Sequence, residues 1–393
     1  MPQLRYLTAG ESHGKSLTGI IDGIPAGLSL EAERDINPIL QERQRGYGRS
    51  HRQKIENDSA EILSGVRFGI TTGAPISIKI NNNDWENWTE EMSVVPSDIE
   101  SKRVTIPRPG HADLAGAIKY QQKDIRNILE RASARETAMR VAIGAVASKF
   151  LNELGITSVS FVRSIGTILV SDSEKPSELH LLRKILAESE LRMFDHSAET
   201  KAKHLIDKAK KEGDTLGGIV EVHFIGLPIG IGSHVQWDRK LDGLIAQAVM
   251  SIQAVKAVEI GGGISLAEIH GSECHDPIEI EEGELVRSTN NAGGIEGGMT
   301  DGMPIIVRAA MKPISTLMRP LSSIDLSTGE STPSHIERSD VCAVPSLSVI
   351  VENVIAFTIA SALLDTFGGD TMNEAKERVA IRYEQSKLKN LTS

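Results

Sequence analysis

SGVRFGITTGAPISI, residues 64–78, decides how the rest of the chain is read, because it aligns without gaps to GGIEGGMTDGMPIIV, residues 293–307. Gly65 matches Gly294, Gly69 matches Gly298, Gly73 matches Gly302 and Pro75 matches Pro304. Each copy is a set of short runs broken by Gly and Pro, the signature of strand, turn and strand. A looser echo joins GIIDGIPAGL, residues 19–28, to GIVEVHFIGLPIGI, residues 218–231, each a strand-like run closed by Ile-Pro or Leu-Pro and Gly. The helical run ETAMRVAIGAVASKFLNELG, starting at Glu136, has its counterpart in ENVIAFTIASALLDTFGG, starting at Glu352. Three pairs in the same order favour duplication over chance likeness of Gly-Pro turns. Strands and helices do not alternate as a doubly wound sheet requires, so the expected class is α+β, layered and internally duplicated.

The expected organisation is a single domain over residues 1–393 with two pseudo-repeated halves, about 1–160 and 214–370. A polar, charge-rich helical connection over about 171–213 joins them, and its His180, His196 and His204 read as surface residues. Helical periodicity also runs through residues 31–46 and 239–259.

With 40% hydrophobic residues the chain has ample material for a core, and its formal net charge of −10 disfavours a general binder of nucleic acid or anionic membranes. Two cysteines, Cys274 and Cys342, make neither a disulfide framework nor a zinc spacing, so no metal and a reducing cytoplasm are expected. MPQLRYLTAG lacks the apolar core of a signal peptide, and no run reads as long and apolar enough to span a bilayer. The best candidate, VIVENVIAFTIASALL, carries Glu352 and Asn353 and reads as a buried helix.

AGESHGKS, residues 9–16, with Ala9, four residues and then Gly-Lys-Ser, has the spelling of a phosphate-binding P-loop. Such a loop needs a helix after Ser16, yet LTGIIDGIPAGLSL, interrupted by Gly19, Gly23, Pro25 and Gly27, reads as strand and turn. Nucleotide hydrolysis is therefore disfavoured, and His13 needs another reason to sit there.

Four separated segments concentrate arginine and histidine. Arg43, Arg45, Arg49 and Arg52 surround a Gly-Tyr-Gly turn, which is either a solvated helix end or a clamp for a small anion. Arg108 and His111 flank a Pro-Gly turn, where the histidine is either merely exposed or able to hand a proton to a leaving group. Arg131, Ser133 and Arg135 precede a long apolar helix; Ser133 with Glu136 fits a capping box, while the open helix start suits an anion. His335, Arg338 and Asp340 follow a polar loop. A site using all four segments would take a small, multiply anionic ligand. Glycine-rich EIGGGIS and NNAGGIEGGMTDG lack the dinucleotide fingerprint. An RNA-binding module would rest on the arginine loop alone, against the acidic balance and 4% aromatic content.

GESHG (10–14), RPGHAD (108–113), SARETAMRVAIGAVA (133–147) and RSDVCAVPSLSVIVENVIA (338–356), with SIQAVKAVEIG, AGGIEGGMTDG and KPIST, resemble the signature segments of the chorismate synthase family along essentially the whole chain. Ala257 stands where that family usually has Gly, and Ser50-His51 where its loop often has glycines. The resemblance implies a helical layer between antiparallel sheets, a β-α-β sandwich assembled as a homotetramer. It implies a lyase that converts 5-enolpyruvylshikimate 3-phosphate into chorismate and phosphate by anti-1,4-elimination, with reduced FMN as transient electron donor. His13 is implied as the acid by the leaving phosphate, His111 as the group steadying reduced flavin near its N1/C2 edge, and Asp340 as assisting proton removal through flavin N5. Arg43, Arg49, Arg52, Arg108, Arg135 and Arg338 match substrate-pocket positions. Flavin contacts are implied at Arg131, Ala132, Ser133, Gln253, Ala254 and Gly297. Lys312, Pro313, Ile314, Ser315, Thr316 and Arg338 complete that set. Some relatives accept NADPH directly, and Arg43 and Arg49 are the residues able to hold its phosphate here.

Overall fold

The computed structural model describes residues 4–49, 57–96, 103–281, 284–335 and 340–387. Its first sheet follows from period-two patterning. In β2 (Ser16–Asp22) Leu17 and Ile21 turn inward, and in β6 (Ile76–Asn81) Ile76, Ile78 and Ile80 do the same. These strands pair antiparallel, with β1 (Arg5–Ala9) outside β2 and β3 (Ala60–Ile62) outside β6. Between β3 and β6 lies a hairpin of β4 (Val66–Arg67) and β5 (Ile70–Thr71).

The second sheet has the order β10-β15-β9-β7-β8 and is antiparallel throughout. Its members are β7 (Thr157–Ile165), β8 (Ile168–Leu169), β9 (Gly218–Ile225), β10 (Val255–Ile260) and β15 (Ile305–Met311). Small hairpins complete the strands: β11 (Ile278–Glu281) with β12 (Glu284–Arg287), β13 (Ile295–Glu296) with β14 (Met299–Thr300), and β16 (Ser322–Ile324) with β17 (Ser331–Pro333).

The duplication read from the glycines is visible atom by atom. The β4–β5 hairpin leads into β6 as the β13–β14 hairpin leads into β15. Thr71 Oγ1 donates to Pro25 O at 2.7 Å and accepts from Leu28 N at 2.9 Å. Thr300 Oγ1 does the same with Pro228 O at 2.7 Å and Ile231 N at 2.8 Å. Gly65 and Gly294 both hold positive φ, +80° and +79°, and a Cβ on either would strike the carbonyl oxygen of Pro75 or Pro304. Local backbone demands thus left the readable repeat.

Between the sheets lie α4 (Thr137–Asn152) and α9 (Val344–Phe367). Met139 and Ile143 of α4 press on Gly19 of the first sheet, and Val344 of α9 reaches Gly218 of the second. The helices cross where Gly144 meets Asn353, with no room for a Cβ: an added one would stand 2.4 Å from Asn353 O. Alanine favours a helix over glycine by about 1 kcal/mol, but overpacking a core costs about 1–3 kcal/mol. Gly144→Ala is therefore expected to lower the denaturation midpoint, and a raised midpoint would contradict the close crossing. Glu352 survives in an apolar helix because Ser158 and Ser160 of β7 each donate to it at 2.6 Å.

Helix α9 begins at Val344, eight residues before the expected Glu352, because Pro345 is tolerated in a first turn. It is also long and apolar enough to cross a membrane, contrary to the expectation that no run is; most of its apolar stretch is buried in this core instead. Helical periodicity over residues 31–46 resolves into a π-turn at Ala32–Ile36 and α1 (Asn37–Gln44). The run expected to be helical over 239–259 stops at the end of α7 (Leu241–Met250). Ala254 turns the chain with φ +67°, and the β-branched residues after it pair with β15. The connection over 171–213 holds α5 (Leu179–Glu188) and α6 (His196–Glu212), with His180, His196 and His204 exposed. Short α2 (Asp113–Tyr120) and α3 (Arg126–Ala132) flank the site, α8 (Gly271–Cys274) is a single turn, and α10 (Met372–Gln385) follows a capping box at Thr371.

Candidate active site

A cleft of about 570 Å³ opens where the β1–β2 loop, the α2–α3 pair, the starts of α4 and α9, and the end of β15 converge. That volume is in the range of small-molecule and cofactor sites. His13, Arg43, Arg49, Arg108, His111, Arg135 and Asp340 all line it, although they come from five separated segments.

The two histidines are built alike. His111 Nδ1 donates to Asp113 Oδ1 at 2.5 Å, and Arg108 braces the same carboxylate through Nε at 2.9 Å and its backbone N–H at 3.0 Å. His13 Nδ1 lies 2.9 Å from Glu130 Oε1, and its backbone N–H donates to Oε2 at 2.8 Å. Both carboxylates are buried. Burial by itself would raise the Asp113 carboxyl, but hydrogen bonds and charge from His111 and Arg108 hold it well below the usual carboxylate range. Glu130 is likewise held low against its burial, by His13 and by the charge of Arg126.

The arginines share a third buried carboxylate. Arg135 Nη1 donates to Asp58 Oδ2 at 2.7 Å, and Arg43 Nη1 stands 3.7 Å from the same oxygen. Arg43 is further tied to Thr137 Oγ1 at 2.9 Å. Arg49 donates to Arg43 O at 2.8 Å and to Ser346 Oγ, and its Nε is 3.3 Å from Asp340 Oδ2. Two guanidinium groups around one carboxylate keep the cleft floor cationic, as a multiply anionic ligand requires. Lys312 Nζ donates to Gly110 O at 2.5 Å and Arg108 Nη1 to Thr316 Oγ1 at 3.3 Å, tying the end of β15 to the Arg-Pro-Gly-His turn.

Of the expected flavin contacts, Ala132, Ser133, Gln253, Ala254 and the segment from Lys312 through Pro313, Ile314 and Ser315 to Thr316 form one wall. Gln253 Oε1 is buried and has no partner among the described residues, as expected of an acceptor waiting for a ligand N–H, so this wall fits a flat hydrogen-bonding cofactor. Arg131 and Gly297 do not line the cleft. Arg131 instead donates to Thr8 O, Thr8 Oγ1 and Gly10 O, and Gly297 sits at the tip of the β13–β14 hairpin near His234. Arg52 and Arg338 lie outside the described residues. Ser133 does not complete a capping box: its Oγ accepts from Arg135 N at 3.3 Å and donates to Ser12 Oγ at 3.3 Å. AGESHGKS is no P-loop, since strand β2 begins at Ser16 where a helix would be needed. Cys342 is inert, because burial pushes its thiol up to about 12.

Sequence reading missed Ser12, Asp58, Trp88 and Glu130. It gave Asp113 no role either, although that residue stands inside RPGHAD. Trp88, stacked on His13 with ring centroids 3.8 Å apart, comes from an acidic loop with no motif.

A family model described as chorismate synthase matches residues 4–364. The chain is 53% identical over 380 residues to the chorismate synthase of Syntrophotalea carbinolica, covering 96% of this chain and 97% of the relative. It is 54% identical over 386 residues to that of Aquifex aeolicus, covering 95% and 96%. A crystal structure of a chorismate synthase superposes with a TM-score of 0.79 at 46% identity, covering 98% of each chain.

Proposed function

The chain belongs to the chorismate synthase family, enzymes of the shikimate-pathway lyase step, and from that premise we propose an anti-1,4-elimination of phosphate from 5-enolpyruvylshikimate 3-phosphate that uses reduced FMN without net redox change. One observation carries the reading: two histidines, each backed by a buried carboxylate, share a cleft with arginines gathered round Asp58. Reduced FMN, when bound, supplies electron density transiently and recovers it. Ala132, Ser133, Gln253, Ala254 and residues 312–316 would hold it, with Arg131, Gly297 and Arg338 added by family likeness.

Arg43, Arg49 and Arg135 neutralise the phosphate and carboxylates, Arg108 joins them from beside Thr316, and Arg52 and Arg338 are assigned to the same task by family likeness. His13 gives a proton to the departing phosphate oxygen. His111, its Nδ1 committed to Asp113, offers Nε2 on the cofactor side, and Asp340 assists removal of the ring proton. The same reading makes NADPH a candidate reductant held by Arg43 and Arg49, the assembly a homotetramer, and the compartment a reducing cytoplasm, which suits two unbridged cysteines.

Strict anaerobiosis with chemically reduced FMN should give chorismate and phosphate in equal amounts, whereas NADPH with oxidised FMN should do so only if this chain reduces its own flavin. No product with reduced FMN would overturn the proposal. Arg49→Ala should weaken substrate binding by about 1.5–3 kcal/mol, the value of a charge-assisted hydrogen bond, while flavin affinity changes little. Titrations showing the reverse selectivity would move this loop to the cofactor.

A further inference from the structure

Glu130 has an arrangement that helix packing does not explain. Its carboxylate is buried on α3, and both oxygens are turned on one residue: His13 Nδ1 lies 2.9 Å from Oε1 and 3.0 Å from Oε2, and the His13 backbone N–H donates to Oε2 at 2.8 Å. Arg126, one turn earlier, reaches Oε1 only at 3.4 Å. The imidazole face is covered by Trp88, whose own ring lies 5.4 Å from the Arg126 guanidinium carbon. The ring is thus fixed in its plane by a carboxylate, on its face by an indole and at its backbone by the same carboxylate. Arg131, farther along α3, is turned to Thr8 and Gly10, and Ser133 donates to Ser12 Oγ.

We propose that Glu130 is the positioning residue for His13: it commits Nδ1 as the inward N–H, so that Nε2 faces the substrate. This rests on His13 being the proton donor. In that step the Nε2–H bond breaks and a phosphate O–H bond forms. The ring becomes neutral while still donating from Nδ1, and Glu130 neither gains nor loses a proton. Asp113 stands behind His111 in the same way but also holds the Arg108 backbone and guanidinium, so its removal would unravel the turn. Glu130 carries no comparable load on a guanidinium and is the cleaner test.

The experiment compares Glu130→Gln and His13→Ala with the wild type. Turnover is measured with reduced FMN under anaerobiosis, and the tautomer of the neutral His13 ring is read from its nitrogen shifts by NMR in flavin-free protein. Glu130→Gln should lower kcat at least about tenfold and leave KM within about twofold. It should also take the ring out of the single Nδ1–H tautomer, because an amide can turn either its oxygen or its nitrogen to Nδ1. An unmoved tautomer with unchanged kcat in Glu130→Gln would overturn the proposal, and if that variant does not fold, an Nε2–H tautomer in the wild type would overturn it instead. Wild-type turnover in His13→Ala would remove the proton-donor role itself, while the NMR arm would still report whether Glu130 fixes the ring.

Discussion

His13→Ala and His111→Ala should each yield a folded enzyme that turns over about a hundredfold to ten-thousandfold more slowly, the usual contribution of a general acid or base. Neither ring is a packing element of the core: each lines the cleft and leans on a carboxylate that belongs to α2 or α3. Substrate affinity should persist, since the arginines around Asp58 are untouched. Steady-state kinetics with melting curves as the folding control would measure both effects, and wild-type rates in both variants would refute the assignment. Lys15→Ala is the informative control. Lys15 is exposed, sits immediately before strand β2 and is absent from the cleft, so its removal should leave turnover near wild type.

Asp58→Ala should be the most destabilising change at the cleft. The Asp58 side chain is buried to 1% exposure, with Arg135 at 2.7 Å and Arg43 at 3.7 Å, themselves only 6% and 8% exposed. Removing one partner of a buried ion pair leaves uncompensated charge and costs about 3–5 kcal/mol. Here two cations lose the same anion. Denaturant unfolding should show that loss, and added substrate should recover part of it by supplying negative charge to both arginines. A loss below about 1 kcal/mol would mean that the arginines relax into solvent and that Asp58 does not organise them.

The layered α+β class and its duplication were legible because they rest on local demands. Gly65 and Gly294 are glycines since their φ is positive and a Cβ would strike the chain, and such positions recur wherever the turn recurs. The same locality failed for residues 251–259. Their helical periodicity was real, but β15 offered a ladder of hydrogen bonds and won. Helix α9 starts at Val344, before both expected starts, Val349 and Glu352, because Pro345 sits in its first turn, where no intrahelical hydrogen bond is lost.

For the site, the sequence by itself named candidates: His111, Asp340 and the arginines stand in Gly/Pro/Ser segments of an acidic chain, and the family resemblance gave them and His13 their expected roles. Only the tertiary structure decided that His13 answers to Glu130 and that Arg43 and Arg135 share Asp58. Glu130 is 117 residues from His13, and Asp58 is 77 from Arg135. Trp88 reaches the imidazole from a loop with no motif at all. A turn glycine is dictated by the backbone angles of its own residue, whereas a buried ion pair is dictated by desolvation of two groups that folding brings together. That energy depends on distance in space and leaves no spacing along the chain to read.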